Sequence, residues 1–397
     1  MMHGPTGGGA NLYSRAVPLE RHELRHRDGR RLLIYGDLRG SLDREPAHGG
    51  PDAASLHKRL DRLTNAWIAV SPQRNTRPNA SLAAAPDRRV GAEPTAVESP
   101  AAACPFCPGG TEVPFSYEAA VFENRFPSLV ADPPAIAADP RISPSLGRCE
   151  VILYTERHLG SLATLERVEL ARLLAIWRDR SAELWADPRH RFVMVFENRG
   201  ESVGATISHP HGQVYAFDHL PPLISQRVET LARHREATGL CLSCEVVADD
   251  TGDRERAVME SEPFTVAVPF AARFPFEVHV RAKRHGVGRL ADLDDRELPS
   301  LAAALREVVL RYDALFGFEL PYMMVVMEAP PGSPDAHLSF EFMPLHRTAN
   351  QTKIRASVET ATGLFINDTL AEANAARLRA AAIESRVEAP VPEVHPD

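Results

Sequence analysis

The sequence predicts an α+β protein assembled from two tandem copies of one strand-and-helix unit. Three observations carry that prediction. From Cys104 onward, short apolar runs alternate with longer helical patterns, and the same order restarts near residue 239. A Cys-x-x-Cys pair opens each copy, Cys104/Cys107 and Cys241/Cys244. The segment Glu156-Arg157-His158-Leu159-Gly160-Ser161-Leu162 is echoed by Lys283-Arg284-His285-Gly286-Val287-Gly288-Arg289-Leu290. The spacings agree: His158 stands 51 residues before His209 and His285 stands 52 before His337. Each copy offers Cys, Cys, His, His in the same order, as an ancient duplication would.

Residues 1–18 are Gly-rich and read as a disordered tail. Residues 20–37 read as a hairpin, Glu23 to Arg27 and Arg30 to Tyr35 about an Asp28-Gly29 turn. Residues 40–55 read as a linker, Asn65 to Ser71 as a strand, and the Ala/Pro/Arg-rich residues 80–103 as a long loop or disordered insert. Ala120 to Glu123, Glu150 to Thr155, Arg191 to Glu197 and Val214 to Phe217 are strand candidates. Leu165 to Asp187 has helical periodicity with Leu170, Leu173, Leu174 and Trp177 on one face, and Leu223 to Thr238 reads as a second helix. In the second copy, strands are expected at Phe264–Val268, Phe276–Val280, Tyr322–Met327 and Leu338–Met343. Helices are expected at Asp294–Phe316 and Leu370–Ile383.

The 397 residues are enough for two domains with a large core. Apolar content of 44% and charged content of 25% are ordinary for a soluble globular chain. A net charge of −8 argues against a dominant nucleic-acid-binding face. No apolar run approaches the length of a membrane span, and the N-terminus lacks the apolar core of a secretory signal. A cytoplasmic location is therefore expected. With four of five cysteines in Cys-x-x-Cys pairs, metal binding is expected over a disulfide framework, and Cys149 reads as a small buried residue.

The chemistry concentrates in His209-Pro210-His211-Gly212-Gln213. On an extended strand, His209, His211 and Gln213 share one face. Cys104, Cys107, His158 and His209 make a Cys2His2 set of the kind that holds tetrahedral zinc, although His158 also reads as a surface histidine. A neutral His211 whose other nitrogen donates to a backbone carbonyl can attack phosphorus; it can equally be a metal ligand or a structural histidine. Gln213 can hydrogen-bond a phosphoryl oxygen without supplying a proton. Arg74 and Arg77, in Ser71-Pro72-Gln73-Arg74-Asn75-Thr76-Arg77-Pro78, are candidate phosphate contacts or part of a solvated loop. Asn124 and Asn198 both follow Phe-Glu at a strand end. They cap turns there or contact ribose or phosphate.

Together these residues resemble the galactose-1-phosphate uridylyltransferase family of the histidine-triad superfamily, over roughly residues 56–383. The anchors are Ser71-Pro72-Gln73-Arg74, Cys104-Pro105-Phe106-Cys107, Val121-Phe122-Glu123-Asn124, Phe196-Glu197-Asn198-Arg199-Gly200, the His209–Gln213 motif, Pro269 to Glu277 and Phe365-Ile366-Asn367-Asp368. The resemblance implies tandem duplicated histidine-triad-like domains, each an antiparallel half-barrel sheet flanked by helices. On that reading, residues 1–55 are an extension with hairpin and linker, 56–238 the catalytic domain, 239–385 the C-terminal domain and 386–397 a disordered tail. It also implies a homodimer and ping-pong exchange of UMP between UDP-glucose and galactose 1-phosphate. His211 looks like the nucleophile and Gln213 its phosphoryl-binding partner. Cys104, Cys107, His158 and His209 look like the zinc site. Arg74, Arg77, Asn124, Asn198 and Thr206 look like nucleotide or phosphate contacts, and Lys353 and Glu359 like the late pair beside the sugar. A second zinc would use Cys241, Cys244 and His285, with His337, Ser339 or Glu328 as the fourth ligand. The alternatives are an ADP-sugar phosphorylase or adenylyltransferase of the same superfamily, a nucleotide hydrolase, and a zinc-stabilised nucleotide-binding module.

Overall fold

A computed structural model describes residues 19–42, 56–62, 66–71, 104–136 and 138–385. The expectations for residues 1–18, for 43–55 of the linker, for 80–103, for 386–397, and for Arg74 and Arg77 lie outside the described residues, apart from Cys104 onward.

The N-terminal half contributes β1 (Arg21–Arg25), β2 (Arg31–Tyr35), β3 (His57–Asp61), β4 (Ala66–Val70), β5 (Ala119–Glu123), β6 (Ile142–Pro144), β7 (Gly147–Leu153), α1 (Arg167–Ala186), β8 (Phe192–Arg199), β9 (His211–Phe217) and α2 (Pro222–Thr238). The C-terminal half contributes α3 (Leu242–Gly252), β10 (Ala257–Met259), β11 (Phe264–Ala267), β12 (Val278–Ala282), α4 (Leu298–Phe316), β13 (Tyr322–Met327), β14 (Ser339–Pro344), a small hairpin β15–β16 (His346–Thr348, Gln351–Thr352), α5 (Ser357–Thr362) and α6 (Ala371–Ser385). Helix α3 was not legible in the sequence.

The two half-sheets are one sheet. Eleven strands run in the order β1-β2-β5-β7-β9-β8-β13-β14-β12-β11-β10, and β8 pairs antiparallel with β13 at the seam. The halves repeat strand for strand: β7–β9–β8 in one is matched by β12–β14–β13 in the other. The hairpin at 20–37 is not peripheral, because β2 pairs with β5 and extends the sheet.

Helices α1 and α4 cover one face. Helix α1 starts at a capping box in which the Glu169 carboxylate accepts the Glu166 N–H at 2.8 Å. Its buried stripe holds Leu170, Leu173, Leu174 and Trp177, and Trp177 stacks on Phe340 of β14 across the seam at 6.3 Å. Helix α4 buries Leu301, Leu305, Val308, Val309 and Tyr312 and ends at Gly317, whose φ of 75° is the left-handed cap that glycine adopts without strain. The other face of the sheet stays open along β8 and β9. Among the described residues, no helix is long and apolar enough to cross a membrane.

Candidate active site and metal centres

Strand β9 alternates: Gly212, Val214 and Ala216 are buried against the helices, while His211, Gln213, Tyr215 and Phe217 lie half-buried on the open face. The alternation needs a glycine at 212. A Cβ there would stand 2.4 Å from the Tyr154 hydroxyl and 3.0 Å from the Phe196 carbonyl. Tyr154 and Tyr322 each donate an O–H to buried Glu197 at 2.7 Å. Burial raises the Glu197 carboxyl above its usual range, and the two phenols only partly offset that. This network forms the floor beneath the open strand and spans both halves.

The His211 ring is oriented by its own backbone. Nδ1–H donates to the His209 carbonyl at 2.7 Å, which fixes the tautomer with the lone pair on Nε2. Gln213 Oε1 accepts from Asn124 Nδ2 at 3.2 Å, so the amide N–H groups of Gln213 remain as donors for another partner. Asn124 is itself fixed, its Oδ1 accepting the Phe126 N–H at 2.8 Å. The β8–β9 register pairs Phe196 with Gln213, and Asn198 follows on the same face of β8. The geometry thus gathers Asn124, Asn198, His211 and Gln213 on one surface. Thr206 is half-buried in the connection between β8 and β9. Lys353 and Glu359 are buried and bonded to each other, Nζ to Oε1 at 2.6 Å, and both also bond Ile366. Their hydrogen bonds tie the pair to its own segment rather than to β9.

Beside this surface, Cys104, Cys107, His158 and His209 bring four ligand atoms within 4.8 Å of one another. Cys107 Sγ lies 3.3 Å from His158 Nδ1 and 3.6 Å from His209 Nδ1. Zinc–sulfur and zinc–nitrogen bonds of ordinary length give tetrahedral S···N edges of about 3.5 Å, so the donor set fits that ion. His209 Nε2 donates to the Thr155 carbonyl at 2.8 Å, which aims Nδ1 at the cluster. Burial raises both thiols, but hydrogen bonds from His158 and His209 outweigh it at Cys104 and hold that thiol well below its usual range. Cys107, facing Cys104, is pushed up. Phe106, between the two cysteines, packs edge-on with the His211 ring, centroids 5.2 Å apart.

The C-terminal half repeats the cluster. Cys241, Cys244, His285 and His337 also lie within 4.8 Å. Cys244 Sγ is 3.4 Å from His285 Nδ1 and 3.5 Å from His337 Nε2. His337 Nδ1 bonds the Ala282 carbonyl at 3.1 Å. The fourth member is therefore His337. Glu328 bonds Trp185, Ser181 and the Leu290 N–H, and Ser339 faces Glu341. Sequence reasoning missed Tyr117, Thr155, Tyr154 and Glu197. Thr155 acts through a carbonyl that no side-chain motif reports, while Glu197 lay within the quoted Phe-Glu-Asn motif without a role.

Two fused antiparallel half-sheets, each with a Cys2His2 cluster and one with an open His-x-His-x-Gln strand, define a tandemly duplicated α+β fold with one open strand face. Residues 50–221 match the family model for the galactose-1-phosphate uridyl transferase N-terminal domain, and residues 226–397 match that for its C-terminal domain. The chain belongs to the galactose-1-phosphate uridylyltransferase family, and it is an enzyme of that family. It is 37% identical to the galactose-1-phosphate uridylyltransferase of Thermotoga maritima, over 83% of this chain and 99% of the relative. It is 31% identical to that of Streptomyces lividans, over 83% and 90%. A solved uridylyltransferase structure superposes with a TM-score of 0.71 at 28% identity, covering 83% of this chain and 99% of its own. An ADP-glucose phosphorylase structure from Arabidopsis thaliana shares the fold, with a TM-score of 0.59 at 24% identity.

Proposed function

We propose that this chain exchanges UMP between UDP-glucose and galactose 1-phosphate through a covalent uridylyl-His211 intermediate. The observation that carries the reading is the Nδ1–H bond from His211 to the His209 carbonyl, which leaves Nε2 as the nucleophile. In the first step Nε2 forms a bond to the α-phosphorus of UDP-glucose. The bond from that phosphorus to the β-phosphate oxygen breaks, and glucose 1-phosphate leaves with the electron pair. In the second step a phosphate oxygen of galactose 1-phosphate attacks the same phosphorus and the P–N bond breaks. Both leaving groups are stable without a proton, which suits an amide at 213 rather than an acid.

In this reading the Gln213 N–H groups hold a non-bridging oxygen, Asn124 fixes the Gln213 amide, and Asn198 and Thr206 contact the nucleotide. Arg74 and Arg77 supply positive charge, and Lys353 and Glu359 serve the sugar. Zinc at Cys104, Cys107, His158 and His209 fixes the start of β9 and so positions His211, with no Lewis-acid part. A second zinc belongs to Cys241, Cys244, His285 and His337. The division at residues 238/239, a cytoplasmic homodimer and hexose 1-phosphate as acceptor complete the reading. Initial rates with both substrates varied test it. Parallel double-reciprocal lines are expected; intersecting lines, meaning a ternary complex, would sink the covalent intermediate. Faster turnover of ADP-glucose than of UDP-glucose would move the enzyme to an adenylyl donor.

A further inference from the structure

The two Cys2His2 clusters are held in different ways. Cys244 lies within α3, whose first turn is closed by the Glu245 N–H bonding the Cys241 carbonyl at 3.2 Å. Cys104 and Cys107 lie in an irregular loop with no helix of its own. That loop is closed locally, by the Gly110 N–H to the Cys107 carbonyl at 2.8 Å and the Glu112 N–H to the Pro105 carbonyl at 3.0 Å. Beyond these bonds it leans on Tyr117, on β5 and β7, and on the β1–β2 hairpin, which precedes residue 50, where the family match begins.

We propose that the hairpin is a clamp on the Cys104–Glu112 loop, with Arg30 as a positioning residue for His211. The Arg30 side chain is 4% exposed. Its Nε donates to Asp28 at 2.8 Å, and its Nη1 donates to Glu112 at 2.8 Å and to the Glu123 carbonyl at 3.0 Å. Glu112 is equally buried, so this guanidinium fixes the far end of the loop. Arg30 immediately precedes β2, and Leu32 and Ile34 of that strand pack into one apolar cluster with Cys104, Phe106 and Cys107. From there the path is short. The Phe106 carbonyl accepts the Tyr117 O–H at 2.6 Å, Tyr117 Oη lies 3.0 Å from His209 Nε2, and the Phe106 ring edge touches the His211 ring. The opposite face of the hairpin is tied to α1 by other residues, Arg31 to Glu183 and Tyr35 to Asp179. A loop-directed arginine just before β2 thus stands next to a helix-directed one at the strand's start.

The inference rests on the reading of His211 as the reacting group and of the first cluster as a zinc site. The adjacent arginine supplies the control. Arg30→Met and Arg31→Met are compared in the full-length, zinc-loaded enzyme by three readouts. These are hydrogen exchange in residues 104–113 against 241–252, zinc transfer to a chromogenic chelator, and kcat against KM. Arg30→Met is expected to speed exchange in 104–113 and to release the first zinc about 10–100-fold faster, with the second zinc unchanged. It should lower kcat with little change in KM. Arg31→Met should leave 104–113 and zinc release as in the wild type. Arg30→Lys, which keeps the charge without the fork, is expected to fall between and serves if Arg30→Met does not fold. Equal effects of Arg30→Met and Arg31→Met, or equal acceleration of both zincs, would overturn the clamp. Wild-type protein that takes up no zinc would remove the metal reading, and exchange in 104–113 would then decide the clamp alone.

Discussion

Strands β9 and β14 hold the same place in the two halves, yet one is open and the other is sealed. The registers Leu153↔His211 and Arg281↔Ser339 superpose after a shift of 128 positions, 339 against 211. His211 then corresponds to Ser339, Gly212 to Phe340 and Gln213 to Glu341. In β9 every second residue reaches the open face, whereas all six residues of β14 are buried. The space that the N-terminal half leaves free is filled in the C-terminal half by ion pairs and hydrogen bonds among charged and polar side chains. Glu341 bonds Arg227 at 2.8 Å and Arg273 at 3.1 Å, His279 bonds Glu277 at 2.8 Å, and Arg281 bonds Asp250. The metal-type cluster survives in both halves, so the cluster by itself does not make a reactive site. What separates the halves is a half-buried histidine on the uncovered face of β9, where β14 has a buried serine.

The sharpest way to break this comparison is to remove the nucleophile. His211→Ala should lower kcat by at least about 10⁴-fold while leaving the fold intact by circular dichroism. Ser339→Ala should stay within about twofold in kcat. Comparable losses from both would mean that the C-terminal strand takes part in the chemistry.

Next come the cluster cysteines. Cys104→Ser and Cys241→Ser should each cost one equivalent of zinc by elemental analysis. Only Cys104→Ser should reduce turnover steeply, by about 10–100-fold, because only that cluster adjoins β9. A steep loss of turnover from Cys241→Ser would contradict the division of roles.

Much of this contrast was legible in the sequence, for definite reasons. The Cys-x-x-Cys pairs and the His-x-His-x-Gln spacing are local signals, and the repeated order tied each pair to its distant histidines, which the fold brings together. Strand and helix patterns placed the longer elements. Helix α3 was missed because its short sequence has little amphipathic periodicity, and β3, β6, β10, β15, β16 and α5 were missed because so short a run carries no clear period. The seam between β8 and β13 and the docking of β2 on β5 are non-local pairings that no periodicity encodes. The sealing of β14 was equally hidden, since Arg227 and Arg273 reach Glu341 from elements 114 and 68 residues away. Lys353 and Glu359 were named only by the family resemblance, and what the sequence could not tell is that they bond each other.

Two smaller effects sharpen the packing side. Gly212→Ala should cost about 1–3 kcal/mol in denaturant unfolding, because its Cβ meets the Tyr154 hydroxyl and a backbone carbonyl. An unchanged midpoint would mean that β9 shifts freely over its floor. The pH dependence should follow the sealed half. Burial alone would raise the Glu341 carboxyl, but His279, Arg227 and Arg273 outweigh it and hold it well below its usual range. A carboxylate depressed in the folded state stabilises the fold above its unfolded pKa of about 4.3, and that stability is lost as pH falls toward the folded value. Glu341→Gln should therefore flatten the fall in unfolding free energy below about pH 4.5, at a cost near neutrality of about 1–3 kcal/mol given the partly exposed arginines. An acid limb as steep as the wild type's would assign the titration elsewhere.

The most direct measurement is the location of the covalent adduct. The enzyme is incubated with UDP-glucose without acceptor, quenched in alkali and digested, and the peptides are mapped by mass. One UMP on the peptide that contains His211, removed when galactose 1-phosphate is added before the quench, is the expected result. UMP on any peptide from residues 239–385, or no adduct in folded enzyme that still turns over, would contradict the assignment of the chemistry to the open strand.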